Sequence, residues 1–214
     1  MKLVLASGSP RRSELLARLG YEFDVVPSSV DENSMPIDRP VDLVRRLARA
    51  KVLDVADSRP GDILLGADTV VVHQRDVYGK PADAGEARRM LRRLRGRQHN
   101  VITALALLRP GRVRPDTAHI LTRVTLRPFA DDEVEATIAA GEPFDKAGAY
   151  AIQDQSFQPV ASCEGCYCNV VGLPLWTALR LLVAAGAAPD RPPNLLDACS
   201  NCPHRDSSLI TTHE

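Results

Sequence analysis

Apolar positions along the chain recur with two different periods, and the switching between them predicts a mixed α/β order of elements. Leu3 to Ala6 is a short continuous apolar run and predicts a buried strand. Ser9-Pro10 follows as a helix start, with Ser as N-cap and Pro in the first turn. Leu15, Leu16 and Leu19 give that helix its apolar face, and Gly20 its stop. Phe23 to Val26 predicts a second short strand, and the polar, proline-containing stretch 27–40 a loop. Residues 42–56 place Leu43, Val44, Leu47, Ala48, Val52 and Val55 on one helical face. Lys51 falls on or beside that same face, where a solvated ammonium sits poorly.

Ile63 to Val72 predicts the strongest strand, an almost unbroken apolar run interrupted by Asp68. A turn around Gly79 follows. Asp83 with Glu86 forms a capping-box-like start for an Arg-rich helix through Leu94, ended by Gly96. Val101 to Leu108 and Ile120 to Leu126 predict two strands joined by a Pro/Gly/Arg loop, and Asp131 to Ala140 an amphipathic helix. Residues 141–158 are polar and Gly-containing. Val170 to Leu173 is short and apolar, and Pro174 opens a last helix through Ala185. From Ala187 the chain turns Pro-rich and polar, which predicts little regular structure.

Composition narrows the function. At 214 residues and 44% hydrophobic content, the chain has enough apolar surface for one large domain and is unlike a disordered one. Lys+Arg and Asp+Glu are equal at 27 each, so a general nucleic-acid coat is not expected. Met1-Lys2 precedes only four apolar residues, too few for a secretory signal, and no run approaches the roughly 18 needed to span a bilayer. The expected location is cytoplasmic, with no membrane partner, and five Cys there read poorly as disulfides. Within the balanced charge, only Lys2, Lys51, Lys80 and Lys146 are Lys; the other 23 basic residues are Arg. A chain so biased keeps Lys where a compact charge with a movable pKa serves better than a planar fork.

Neither G-x-G-x-x-G nor G-x-x-x-x-G-K-[ST] occurs. Ser7-Gly8-Ser9-Pro10-Arg11-Arg12 instead brings hydroxyls, helix N-terminal amides and two guanidinium groups to a strand-to-helix junction, a chemistry suited to a phosphate chain. The plainer alternative is an N-capped surface helix. Asp68 inside an apolar strand needs a cation or a metal to offset its desolvation, unless it sits at an exposed strand end. Lys80 lies just past the turn after that strand, and Lys146 in a Gly-containing loop. Asp31-Glu32 is an acidic step that, with Asp68, makes a carboxylate set suited to Mg²⁺. His99 has no evident partner and reads as structural, and Arg88 to Arg97 as a solvated helix face. No Ser-His or Cys-His pair is evident. Cations, hydroxyls and acids suit water attack on a polyphosphate.

Together Leu5 to Arg12, Gly66-Ala67-Asp68-Thr69-Val70-Val71, Gly79-Lys80-Pro81, Asp145 to Tyr150, Ile152-Gln153 and Val170 to Leu175 resemble the Maf family of nucleoside triphosphate pyrophosphatases, in order from residue 3 to about 185. The resemblance implies an elongated mixed β-sheet flanked by helices, with two lobes and a central cleft, often dimeric. It implies hydrolysis to the monophosphate and pyrophosphate with Mg²⁺ or Mn²⁺, and an association with septum formation. It implies Asp68, Lys51 and Lys80 as catalytic, Ser7, Arg12 and Lys146 on the phosphate side, and Glu32 with Asp68 at the metal. Arg11, Thr69 and Gln153 match the dTTP/UTP subgroup, and a Gln amide suits a pyrimidine's imide edge. A catalytically silent nucleotide-binding regulator of division, or a metal- or redox-sensing variant, are the rival readings.

The departure from the family lies near the C-terminal end. Residues 1–188 read as the family's domain and 189–214 as an added tail. Cys163-x-x-Cys166 and Cys199-x-x-Cys202, separated by 32 residues, suit a structural zinc site, with an iron–sulfur cluster or unligated thiols as the alternatives. Cys168 or His204 are further ligand candidates. Such a site would fasten the tail to the domain.

Overall fold

The computed structural model describes residues 1–32 and 39–210. Its centre is a seven-stranded mixed sheet in the order β2-β1-β3-β5-β6-β7, with β4 also paired to β3. The strands are β1 (Leu3–Leu5), β2 (Phe23–Val25), β3 (Ile63–His73), β4 (Asp76–Tyr78), β5 (Gln98–Leu108), β6 (Asp116–Leu126) and β7 (Val160–Glu164). β1 runs parallel to β2 and β3, and every other pairing is antiparallel. Part of the expected loop, residues 33–38, lies outside the described residues.

β3 carries the site because its two edges are used differently. Along one edge β5 pairs it continuously from Leu64 to Val72. Along the other, β1 pairs Ile63 to Leu65 and β4 pairs Val71 to His73. Gly66 to Val70 lie between those two partners, and Asp68 is at the middle of the break.

Helices cover both faces. α2 (Pro40–Ala56) lays Val44, Ala48, Val52 and Val55 on the face formed by Val4, Leu64, Val70 and Ala104. On the opposite face, α1 (Pro10–Ala17), α5 (Tyr167–Val171) and α6 (Leu175–Ala184) pack over one end, and α3 (Ala84–Leu94) and α4 (Asp131–Ala139) over the other. α2 approaches β3 closely at Gly66. A Cβ there would stand 2.6 Å from Val52 Cγ2 and 3.0 Å from the Ala48 carbonyl oxygen. Glycine is therefore what allows this depth of packing.

The long, strongly patterned elements form where the sequence predicts them. Asp83 caps α3 by accepting the Glu86 N–H at 2.7 Å. β4, β7 and α5 fall in stretches without a distinct pattern. The tail carries little regular structure, as its composition predicts: its described residues form two short 3-10 turns, Asp197–Cys199 and Ser207–Ile210, and pack on the body. Gly20 O accepts the N–H groups of Asp190 and Arg191, Arg18 O accepts that of Asn194, and Trp176 Nε1 donates to Cys199 O. Among the described residues no helix is long and apolar enough to cross a membrane.

Candidate active site

Ser7, Arg11, Arg12, Glu32, Lys51, Asp68, Thr69, Lys80, Lys146 and Gln153 all line one cavity of about 440 Å³, within the range of small-molecule sites. The break in β3 supplies Asp68 and Thr69. α2 supplies Lys51, the junction from β1 to α1 supplies Ser7, Arg11 and Arg12, and the turn after β4 supplies Lys80. Of the Asp31-Glu32 step, Glu32 is the member that lines the cavity.

Lys51 and Asp68 form the buried centre, at 6% and 3% exposure. Lys51 Nζ donates to Asp68 Oδ1 at 2.6 Å and to Glu32 Oε1 at 2.8 Å. Lys80 Nζ donates to the same Glu32 oxygen at 3.1 Å. The apolar face of α2 thus delivers its one cation to two carboxylates, which resolves why a Lys lies there. Burial pushes the Asp68 carboxyl above the ordinary carboxylate range, against the opposing pull of Lys51 and Arg12. Partial burial would also raise Glu32, but Lys51 and Lys80 outweigh it and bring its pKa down to about 2. The two acids therefore differ, Glu32 shifted down by its two lysines and Asp68 shifted up by its burial.

Arg12 is clamped. Its Nε donates to Gly172 O at 2.9 Å, Nη1 to Ser7 Oγ at 3.1 Å and Nη2 to Thr69 Oγ1 at 3.2 Å. Burial lowers its pKa, while Asp68 and Glu32 oppose that shift, and a guanidinium there stays charged. Arg11 bonds the Asp145 carboxylate and, at 2.9 Å, the Asp145 carbonyl. Lys146 Nζ meets Glu142 and Asp145, at 3.1 and 2.8 Å to their carboxylates. Ser9 makes no side-chain cap on α1, whose first turn faces the cavity. Val71, Val101, Tyr150, Ile152, Val170 and Val171 add apolar or aromatic lining to the same cavity.

His99 is buried, as a structural residue should be. Its Nε2 lies 2.7 Å from the Tyr150 hydroxyl, and burial lowers its pKa to about 4. The Arg-rich face of α3 is not merely solvated: Arg88 pairs with Glu135, and Arg92 and Arg95 with Asp131, tying α3 to α4. Sequence reasoning missed Asn169, which is fully buried. Its Oδ1 accepts the Thr103 N–H at 3.1 Å and its carbonyl the Thr103 hydroxyl at 2.8 Å. Thr103 Oγ1 is in turn 2.9 Å from Thr69 Oγ1. A lone Asn before an apolar run was the available signal.

The cysteine set needs correction. Cys163 is exposed on β7, whereas Cys166, Cys168, Cys199 and Cys202 are buried. β7 pairs along β6, then Gly165 turns the chain inward at φ 130°, so only the residues after it reach the core. Among the described residues, no group of three or more His, Cys, Asp or Glu side chains stands arranged to hold a metal ion.

A profile of the family described as Maf-like protein matches residues 2–185. A Thermomicrobium roseum protein named dTTP/UTP pyrophosphatase is 52% identical over 207 residues, covering 95% of this chain and 94% of its own length. A Geotalea uraniireducens protein of the same name is 47% identical over 185 residues, 86% of this chain and 95% of its own. The first match therefore runs past the family's domain into the tail. The solved Ham1 protein of Staphylococcus aureus superposes with a TM-score of 0.43 at 11% identity, over 75% of this chain and 80% of that one.

Proposed function

The chain belongs to the Maf family, and from that premise we propose that it is a hydrolase that cleaves dTTP and UTP between the α and β phosphates, releasing the monophosphate and pyrophosphate. The observation that carries the reading is the Lys51–Asp68 pair, buried at the break in β3 and facing a cavity rich in cations. Asp68 is the general base. It takes a proton from the water that attacks phosphorus, a role its raised pKa suits. Lys51 orients that carboxylate and favours its ionised form. Arg12, Lys80 and Lys146 meet the phosphate oxygens as negative charge gathers on the leaving pyrophosphate. Ser7 and the first turn of α1 add donors for the same oxygens. Gln153, Thr69 and Arg11 select the pyrimidine, Gln153 by donating to a base carbonyl and accepting from its N–H.

A divalent cation fits this site by charge. Five basic side chains and three carboxylates line the cavity, leaving a net of two positive charges. A triphosphate carries roughly four negative charges at neutral pH, so one Mg²⁺ or Mn²⁺ brings the complex to balance. Glu32 and Asp68 share Lys51 Nζ and so lie close together, as the oxygen donors such an ion takes. When bound, the ion supplies positive charge at the phosphate oxygens. A homodimer and a part in septum formation rest on the family resemblance alone.

The test is a panel of nucleoside triphosphates with Mg²⁺ or Mn²⁺, assayed separately for pyrophosphate and orthophosphate. Release of pyrophosphate with preference for dTTP and UTP is expected. Binding without turnover of any triphosphate would favour a silent nucleotide-binding regulator instead.

A further inference from the structure

Arg12 stands at one end of a hydrogen-bond chain that can run in only one direction. Thr69 and Thr103 face each other across β3 and β5, with hydroxyl oxygens 2.9 Å apart. Taken alone, either hydroxyl of that pair could donate. The Thr103 hydroxyl, however, also lies 2.8 Å from the Asn169 carbonyl, which can only accept. The end of α5 leaves that carbonyl over: Gly172, at φ 119°, and Leu173 both send their N–H groups to Cys168 O. A hydroxyl has one proton, and Thr103 spends it on Asn169. Thr69 must therefore donate to Thr103. With its own proton spent, Thr69 accepts from Arg12 Nη2, 3.2 Å away, and a guanidinium only donates. The chain runs from Arg12 to Thr69 to Thr103 to Asn169.

Asn169 anchors the far end. Its Oδ1 accepts the Thr103 N–H at 3.1 Å, and its Nδ2 donates to Val101 O at 3.0 Å and to Thr122 Oγ1 at 2.8 Å. Both amide protons and the amide oxygen are engaged, so the side chain cannot turn over without losing all three bonds. Asn169 and Thr103 are fully buried, which makes each of these bonds costly to leave unmade.

We propose that Thr103 is a positioning residue for Arg12. By taking the Thr69 proton it turns a Thr69 lone pair to the guanidinium and fixes the plane in which Arg12 meets phosphate. The protein uses one N–H on each Arg12 nitrogen, for Gly172 O, Ser7 Oγ and Thr69 Oγ1. One N–H on each terminal nitrogen is left for the substrate, the number that a two-pronged phosphate contact uses. Thr69 has no proton to give a nucleotide. It can meet a substrate N–H or O–H, but not a phosphate or carbonyl oxygen. The link to catalysis rests on the pyrophosphatase reading; the direction of the chain does not.

Thr103→Val keeps the side chain's shape and removes its hydroxyl. In the full chain it should lower kcat/KM for UTP about tenfold, chiefly by raising KM. Thr103→Ser, which keeps the hydroxyl, should recover most of that loss. In a Thr69→Val background, where the chain is already cut, Thr103→Val should cost nothing further. A lowered Tm with unchanged KM, an equal loss in Thr103→Ser, or a full second loss in the Thr69→Val background would overturn the positioning role. Neutron diffraction from the perdeuterated protein should place the Thr69 deuteron toward Thr103 and the Thr103 deuteron toward Asn169 O. A Thr69 deuteron aimed into the cavity, or a Thr103 deuteron aimed at Thr69, would overturn the direction of the chain. If no triphosphate is turned over at all, the neutron map still decides that direction. Calorimetric binding of inorganic tripolyphosphate to the same variants then decides the hold on Arg12: weaker in Thr103→Val and restored in Thr103→Ser supports it, and equal affinity overturns it.

Discussion

Gly66→Ala isolates the contact that sets the distance between Lys51 and Asp68. The added Cβ would lie 2.6 Å from Val52 Cγ2 and 3.0 Å from the Ala48 carbonyl oxygen. Val52 is fully buried and β-branched, so it has no free rotamer to retreat into, and Ala48 O is backbone. α2 itself must lift, by about 0.8 Å for the Val52 contact to reach an ordinary van der Waals distance and about 0.4 Å for the Ala48 one. Overpacking of this kind costs about 1–3 kcal/mol. For a chain of this size that lowers Tm by about 3–10 °C. Lys51 neighbours Val52 and moves with it, stretching the 2.6 Å bond to Asp68 beyond 3 Å. If a full ångström costs on the order of a hundredfold, a shift of this size costs roughly ten- to fiftyfold in kcat. KM should change little, since Arg12 and Lys80 stand on other elements. Calorimetry and pyrophosphate release measure the two effects. In a Val52→Ala background, which removes Cγ2, the same substitution should cost less than about 1 kcal/mol, a non-additivity expected of touching residues. Wild-type Tm and kcat in Gly66→Ala would refute the idea that this contact sets the depth of α2.

Asp68→Asn should lower kcat by about 10²–10⁴ while nucleotide still binds, because the amide cannot take the water's proton; near-normal turnover would remove Asp68 from that role. The acid limb of kcat/KM should lie above the ordinary carboxylate range, since activity requires an ionised Asp68 whose pKa is raised. Lys51→Met removes a cation that holds that pKa down and should move the limb to still higher pH. Glu32 behaves oppositely: its folded pKa of about 2 is below its unfolded value, so its stabilising effect is present above about pH 4.5 and lost as pH falls toward 2. Acid unfolding of Glu32→Gln should lack that component. Gln153→Ala should narrow the preference for UTP over CTP by about tenfold or more, measured as a ratio of kcat/KM.

Much of this was legible from residue order because the informative segments are long or chemically discordant. An acid in an apolar strand, a Lys on an apolar helix face and a Ser-Gly-Ser-Pro-Arg-Arg junction each break a local pattern, and all reach one cavity. Pairing was not legible. Nothing in Ile63–His73 announces that one edge is shared between β1 and β4, since that depends on strands far apart in sequence. α5 is only five residues, too short to show a period, so Asn169 and the inward turn of Cys166 and Cys168 were hidden. The C-x-x-C spacing favoured Cys163 because it treats the chain between as one loop. In fact Gly165 ends a strand there, and Cys163 stays on the outside.

The uneven edges of β3 have a mechanical consequence. β1 and β4 stop short of each other on one side, but β5 backs the whole break rung by rung, from Leu64 to Val72. A gap so braced cannot widen or narrow by strands sliding apart, because every residue in it is fixed from behind. The opening at Asp68 is thus a rigid aperture whose span is settled when the sheet folds. Discrimination among nucleotides then falls to the side chains around its rim, where single substitutions can change preference without disturbing the scaffold.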